Sequence, residues 1–125
     1  MEELINLILN QIEKIQSIPA PTFHEKNRGN YILSVFNEYQ LKNVEMDSLG
    51  NVYGFLPGGT EKPVVISAHL DTVHGEEIDH GISKTVDKWI GPGVGDNVLA
   101  LASLIGLINF FKTNKKTLKG RIWFI

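Results

Sequence analysis

Pro63-Val64-Val65-Ile66-Ser67-Ala68-His69-Leu70-Asp71 begins as an apolar run and ends in a histidine and an aspartate two positions apart. A continuous apolar run of this length reads as a strand buried on both faces, as in a sheet sandwiched by helices. Successive side chains on a strand alternate faces, so His69 and Asp71 are expected to project together from one strand end. A carboxylate beside an imidazole is how metal sites fix the tautomer of a histidine and raise its basicity. An isolated His-x-Asp is ordinarily just a surface turn, so the meaning of this one rests on what surrounds it.

On the N-terminal side, Leu4, Ile5, Ile8, Ile12 and Ile15 recur at helical spacing and predict an amphipathic helix over residues 2–17, ended by Pro19 and Pro21. Thr22-Phe23-His24-Glu25 has the form of a capping box, with Thr22 capping and Glu25 reaching back. The helix that follows buries Ile32, Val35, Phe36 and Tyr39 on one stripe, with His24 exposed in its first turn. Val44–Asp47 and Asn51–Leu56 read as strands around a Leu49-Gly50 turn.

On the C-terminal side comes a polar loop, 74–84, then a short strand near Val86–Ile90 and an apolar helix over 97–112. Arg121-Ile122-Trp123-Phe124-Ile125 is a second buried-strand pattern. Alternating strands and helices predict an α/β fold: part of a three-layer α/β/α domain with a mixed, mostly parallel sheet. Arg121–Ile125 is expected to be a central strand left unpaired, and therefore prone to self-association.

Composition narrows the function classes. Hydrophobic content of 42% and charged content of 21% are globular values. A formal net charge of −2 gives no electrostatic reason to expect nucleic acid or an anionic membrane. Lys112, Lys115, Lys116, Lys119 and Arg121 gather late and read as a solvated helix end and turn. The absence of cysteine excludes disulfides, thiolate chemistry and Cys-ligated zinc. Val98–Phe111 is nearly all apolar but shorter than the roughly 20 residues a membrane span needs, so a buried helix is expected. The acidic start Met1-Glu2-Glu3-Leu4 lacks the features of a secretory signal, which predicts a cytoplasmic setting.

Gly91-Pro92-Gly93-Val94-Gly95-Asp96-Asn97 stands at the entrance to the apolar helix. Its glycines permit a tight turn and close backbone approach. A phosphate-cradling loop is the rival reading, since helix N-termini attract anions. The spacing matches neither a P-loop nor a dinucleotide fingerprint, and Asp96 puts its own charge where a phosphate would sit. A carboxylate held there by the helix dipole suits a hard ligand for a cation. His69, Asp71 and Asp96 thus offer one nitrogen ligand, one orienting carboxylate and one carboxylate able to bridge, the set of hydrolytic zinc, manganese or cobalt sites.

At this point the sequence resembles the di-zinc exopeptidases and N-deacylases of the aminoacylase, carboxypeptidase and tripeptidase group. Ser67-Ala68-His69-Leu70-Asp71-Thr72-Val73 matches the first motif of that family, and Asp87-Lys88-Trp89-Ile90-Gly91-Pro92-Gly93-Val94-Gly95-Asp96-Asn97 matches the second, with His69 and Asp96 27 residues apart. Ser17-Ile18-Pro19-Ala20-Pro21-Thr22-Phe23-His24-Glu25 and Gly50-Asn51-Val52 are similar to its opening segment.

The resemblance implies that His69 and Asp96 are metal ligands, Asp96 bridging two zinc ions, and that Asp71 orients His69. It implies a cis Asp96–Asn97 peptide, and hydrolysis of peptide or amide bonds by a di-zinc-activated water, with cobalt or manganese able to serve. Small peptides or N-acyl amino acids would be the substrates, and a homodimer is compatible with a full-length protein. The general base and remaining ligands of the family fall after Arg121–Ile125. Residues 1–125 are therefore expected to be the N-terminal part of a catalytic domain, inactive by itself, without a lid. Val98-Leu99-Ala100 departs from the usual Lys-Gly-Gly or Ser-x-Gly after the bridging aspartate. The alternatives are an N-acyl amino acid deacylase or desuccinylase, and a non-catalytic interaction module. His74, Glu76, Glu77, Asp79 and His80 lie between the motifs and are expected to be solvated loop residues.

Overall fold

A computed structural model describes residues 1–115 and 117–125; Lys116, expected at a solvated helix end, lies outside the described residues. Helix α1 (Glu2–Gln16) carries Glu2 and Glu3 in its first turn and Lys14 in its last, which suits the helix dipole. It buries Ile12 and Ile15. Helix α2 (Lys26–Glu38) buries Ile32, Val35 and Phe36 as the stripe predicts, with Tyr39 half-buried just after it.

The capping box does not form. The Thr22 backbone pairs with Thr72, and the Thr22 hydroxyl donates to Asp71. Glu25 instead accepts from the Phe23 N–H at 2.6 Å. The helix starts later than expected and leaves the exposed His24 in the preceding turn.

Strands β1 (Lys42–Met46), β2 (Val52–Leu56), β3 (Glu61–Ile66) and β6 (Gly120–Phe124) form one mixed sheet in the order β1-β2-β6-β3. Asp47 closes the β1–β2 turn by accepting from the Leu49 and Asn51 amides, both at 2.9 Å. Four expectations need correction here. Only β3–β6 is a parallel ladder; β1–β2 and β2–β6 are antiparallel, because a short turn joins β1 to β2 and only the β3-to-β6 connection contains a crossover helix. Strand β6 is paired on both sides, so it is not an open edge. Strand β3 is instead an edge, with Val64 55% and Val65 58% exposed rather than buried on both faces. The single strand expected near Val86–Ile90 is a small hairpin, β4 (Ser83–Lys84) with β5 (Trp89–Ile90), closed by the Thr85 N–H on the Lys88 carbonyl.

One face of the sheet is covered. Val52, Leu56 and Phe124 pack with buried residues of α1, α2 and α3 (Leu99–Thr113) in one core. The opposite face presents Tyr53, Phe55 and Trp123, the last two with ring centroids 4.7 Å apart, and Arg121 stands 5.1 Å from the Phe55 ring. The described residues thus build two of the three expected layers.

The stretch Val94–Thr113 is long and apolar enough to cross a membrane. Its first turn, Val94–Val98, is irregular, with Asp96 and Asn97 outside helical dihedrals. The regular part, α3, is 15 residues or about 22 Å long, short of a bilayer core of about 30 Å. Leu101, Leu104, Ile105 and Ile108 lock it into the core.

Gly106 lets α1 and α3 meet. A Cβ there would lie 2.7 Å from Ile8 Cγ1, which explains a glycine that costs about 1 kcal/mol of helix propensity. Gly106→Val is expected to destabilise the protein by about 1–3 kcal/mol through overpacking, read by urea unfolding. Adding Ile8→Ala should recover part of that loss; an additive double variant would contradict this account of the contact.

Candidate metal centre

His69 extends from the strand end just beyond β3 and is held from both sides. Its Nδ1 lies 3.0 Å from Asp71 Oδ1 and its Nε2 2.9 Å from Asp96 Oδ1. The structure therefore brings together all three residues singled out in the sequence. The His69 and Asp96 side chains are 50% and 88% exposed, so the pair opens to solvent. Burial of the ring opposes its charged form, but the hydrogen bonds to Asp96 and Asp71 outweigh it and raise the His69 pKa above its ordinary value. The Asp71 pKa is lowered, first by the Thr22 hydroxyl and then by His69.

The segment carrying Asp71 is bracketed by the α1–α2 connection. Thr72 N–H donates to the Ala20 carbonyl at 2.8 Å and Thr22 N–H to the Thr72 carbonyl at 3.2 Å. Arg28, on α2, is fully buried. Its Nε and Nη2 reach the Ile18 carbonyl at 3.0 and 2.7 Å, and its Nη1 reaches the Leu70 carbonyl at 2.7 Å. One guanidinium thus ties the connection to the residue between His69 and Asp71.

Asp96 is placed by the glycine-rich turn. Gly93 has φ +74°, and a Cβ there would meet Thr72 Oγ1 at 3.0 Å, so glycine is required twice over. The Gly93 carbonyl accepts from the Asp96 and Val98 amides, both at 3.2 Å. Those amides are spent inside the turn, which counts against the anion-cradle reading. Gln16, buried at the end of α1, donates to the Pro92 carbonyl and fixes the turn to that helix. The Asp96–Asn97 peptide is cis, as the resemblance implies.

In kind, these donors fit a zinc-type ion: an imidazole nitrogen, its other nitrogen held by a carboxylate, facing a second carboxylate. In number they fall short, because no cluster of three or more His, Asp or Glu donors occurs among the described residues. Glu76, Glu77 and Asp79 are exposed in the loop, as expected. His74 and His80 are half-buried there, and His80 Nε2 is 2.9 Å from the Gly75 carbonyl oxygen.

The sequence reading missed Arg28, Gln16 and the hydroxyl of Thr22. A signal existed for two of them: Arg28 lies one turn before Ile32, and Gln16 one turn after Ile12, each on the buried stripe of its helix.

The α/β frame thus brings an imidazole and two carboxylates together beyond the end of one strand. The chain belongs to peptidase family M28, whose sequence profile matches residues 51–125. It is 35% identical to the cytosol non-specific dipeptidase of Escherichia coli over an alignment spanning 76% of this chain and 23% of that protein. Its fold is similar to that of the Bacillus subtilis YXEP protein, a dinuclear metal binding peptidase from the M20 family. The TM-score is 0.72 at 19% identity, covering 98% of this chain and 34% of that one. Aminoacylhistidine dipeptidase from Vibrio alginolyticus aligns with a TM-score of 0.60 at 24% identity, over 94% of this chain and 26% of that one. The chain spans about a quarter to a third of the length of these relatives.

Removing the Arg28 fork would take the side-chain donors from the half-buried Ile18 and Leu70 carbonyls. Arg28→Met is expected to cost about 2–4 kcal/mol in urea unfolding. Arg28→Lys should recover less than half of that, because an ammonium cannot span both carbonyls as a planar fork does.

Proposed function

We propose that this chain supplies part of the metal centre of a peptide-bond hydrolase of the exopeptidase kind, acting on small peptides. The observation that carries the reading is His69 Nε2 facing Asp96 Oδ1 at 2.9 Å while Asp71 holds the far side of the ring. His69 and Asp96 would hold zinc, with Asp96 able to bridge two ions. Bound metal supplies Lewis acidity that activates water and polarises the scissile carbonyl. Asp71 keeps the imidazole oriented, and the Gly93 turn keeps Asp96 at the mouth of the site.

Beside this pair lies a cleft of about 620 Å³, with His69 and Asp71 at one side and an apolar floor of Ile32, Phe36 and Leu104. Its size and lining suit a small peptide with an apolar side chain. The dipeptidase name of the Escherichia coli relative supports small peptides as the substrate class, and its cytosolic name agrees with a cytoplasmic setting.

Two facing donors are too few for a catalytic centre, and the one further carboxylate beside them, Asp71, is engaged by the His69 ring and the Thr22 hydroxyl. We therefore read residues 1–125 as the N-terminal part of a catalytic domain that binds zinc weakly and does not turn over peptides alone. Calorimetric titration with Zn²⁺ should give weak binding that His69→Ala and Asp96→Asn each abolish, with no dipeptide hydrolysis. Turnover that disappears in His69→Ala would overturn the inactivity, and unchanged zinc binding in both variants would overturn the ligand assignment.

A further inference from the structure

We propose that Thr22 is a positioning residue for the metal centre: its hydroxyl holds Asp71 so that the His69 proton stays on Nδ1 and Nε2 is left free for a cation. This rests on the reading of His69 and Asp96 as ligands and concerns how the chain prepares one of them.

Two carboxylates flank one imidazole. Asp71 Oδ1 is 3.0 Å from Nδ1 and Asp96 Oδ1 is 2.9 Å from Nε2. A neutral imidazole carries a single N–H, so the two carboxylates compete for one proton. If Asp96 wins, the nitrogen facing the cation site is capped by hydrogen. If Asp71 wins, Nε2 presents its lone pair. The two carboxylate distances do not bias this contest. The Asp71 carbonyl, which can only accept, lies 3.1 Å from Nδ1 and favours a proton there; the rest of the decision falls to how firmly each carboxylate is aimed.

Asp96 is 88% exposed, and among the described residues no other side chain hydrogen-bonds to it. Asp71 is held. The Thr22 hydroxyl donates to its Oδ2 at 2.7 Å, leaving Oδ1 directed at the ring. The terminal torsion of an aspartate is broad, so an unheld carboxylate would spread over many orientations. The hydroxyl draws a little charge from the carboxylate, so its contribution is direction rather than acceptor strength. Thr22 can act as a fixed post because its own backbone pairs with Thr72, and that pairing does not involve the hydroxyl.

The test uses the whole ¹⁵N-labelled chain at alkaline pH, where imidazoles are neutral, and reads the His69 ring nitrogens by long-range ¹H–¹⁵N spectra. The metal-free wild type should show the Nδ1–H tautomer. Thr22→Val should shift the ring toward Nε2–H, Thr22→Ser should restore the wild-type pattern, and thermal unfolding should not change. Zn²⁺ titrations followed on the same signals should show affinity weakened up to about 10-fold in Thr22→Val and recovered in Thr22→Ser. A wild-type tautomer pattern in Thr22→Val overturns the proposal even if zinc binds at His69. If His69→Ala leaves zinc affinity unchanged, the ligand reading fails and the metal part of the proposal falls with it. The tautomer shift would still show Thr22 acting on His69.

Discussion

The buried guanidinium of Arg28 is the contact on which the geometry of the site depends. It joins three pieces of chain: its own helix α2, the Ile18 carbonyl after α1, and the Leu70 carbonyl between His69 and Asp71. A charge taken out of water is tolerated only where hydrogen bonds replace its hydration, and two backbone carbonyls do so here. Burial lowers the Arg28 pKa and the nearby Asp71 charge offsets part of that. The fork is planar and rigid, so it fixes both the distance and the direction of the strand end that carries the imidazole.

The fold was largely legible because its elements are signalled by period. The α1 stripe, the α2 stripe, the β1–β2 turn and the apolar helix all fall within a few residues of their predicted places. The reading failed for β3. Pro63-Val64-Val65-Ile66 is continuous in apolar residues, and such a run reads as buried on both faces. Here it is an edge strand with Val64 and Val65 in the open. Periodicity reports how apolar a strand is, and strand order decides how much of it is covered. That order depends on where β6 inserts, between β2 and β3, which no local pattern reveals.

The site was legible where it follows from strand alternation and from the glycine-rich turn, which put His69, Asp71 and Asp96 within reach of one another. It was misread at Thr22. Thr22-Phe23-His24-Glu25 satisfies a local capping rule, but Thr22 is captured by Thr72 and Asp71, 50 and 49 positions further along the chain. A tertiary contact overrode a local preference worth about 1 kcal/mol. Such conflicts between local pattern and global fold are expected to gather at functional sites.

The buried polar residues lead to the same place by another route. Among the described residues, Gln11, Gln16, Arg28 and Thr72 are the polar side chains that the core encloses. Gln11 only accepts from the Tyr31 hydroxyl at 2.6 Å, between two helices. The others all hold backbone near the imidazole. Arg28 fixes Leu70, and Gln16 fixes Pro92 at the head of the glycine-rich turn. The Thr72 hydroxyl accepts from the His74 N–H at 3.3 Å while its backbone pairs with the Ala20–Thr22 segment, and its side chain fills the space a Cβ on Gly93 would need. An enclosed polar group is costly unless satisfied, so apolar packing alone would have favoured leucine or isoleucine at such positions. The polar atoms persist where they do because backbone, not side chain, must be held in place. Ile18, Leu70 and Pro92 offer only carbonyl oxygens to these donors, and the His69–Asp96 pair is aimed by what grips those oxygens.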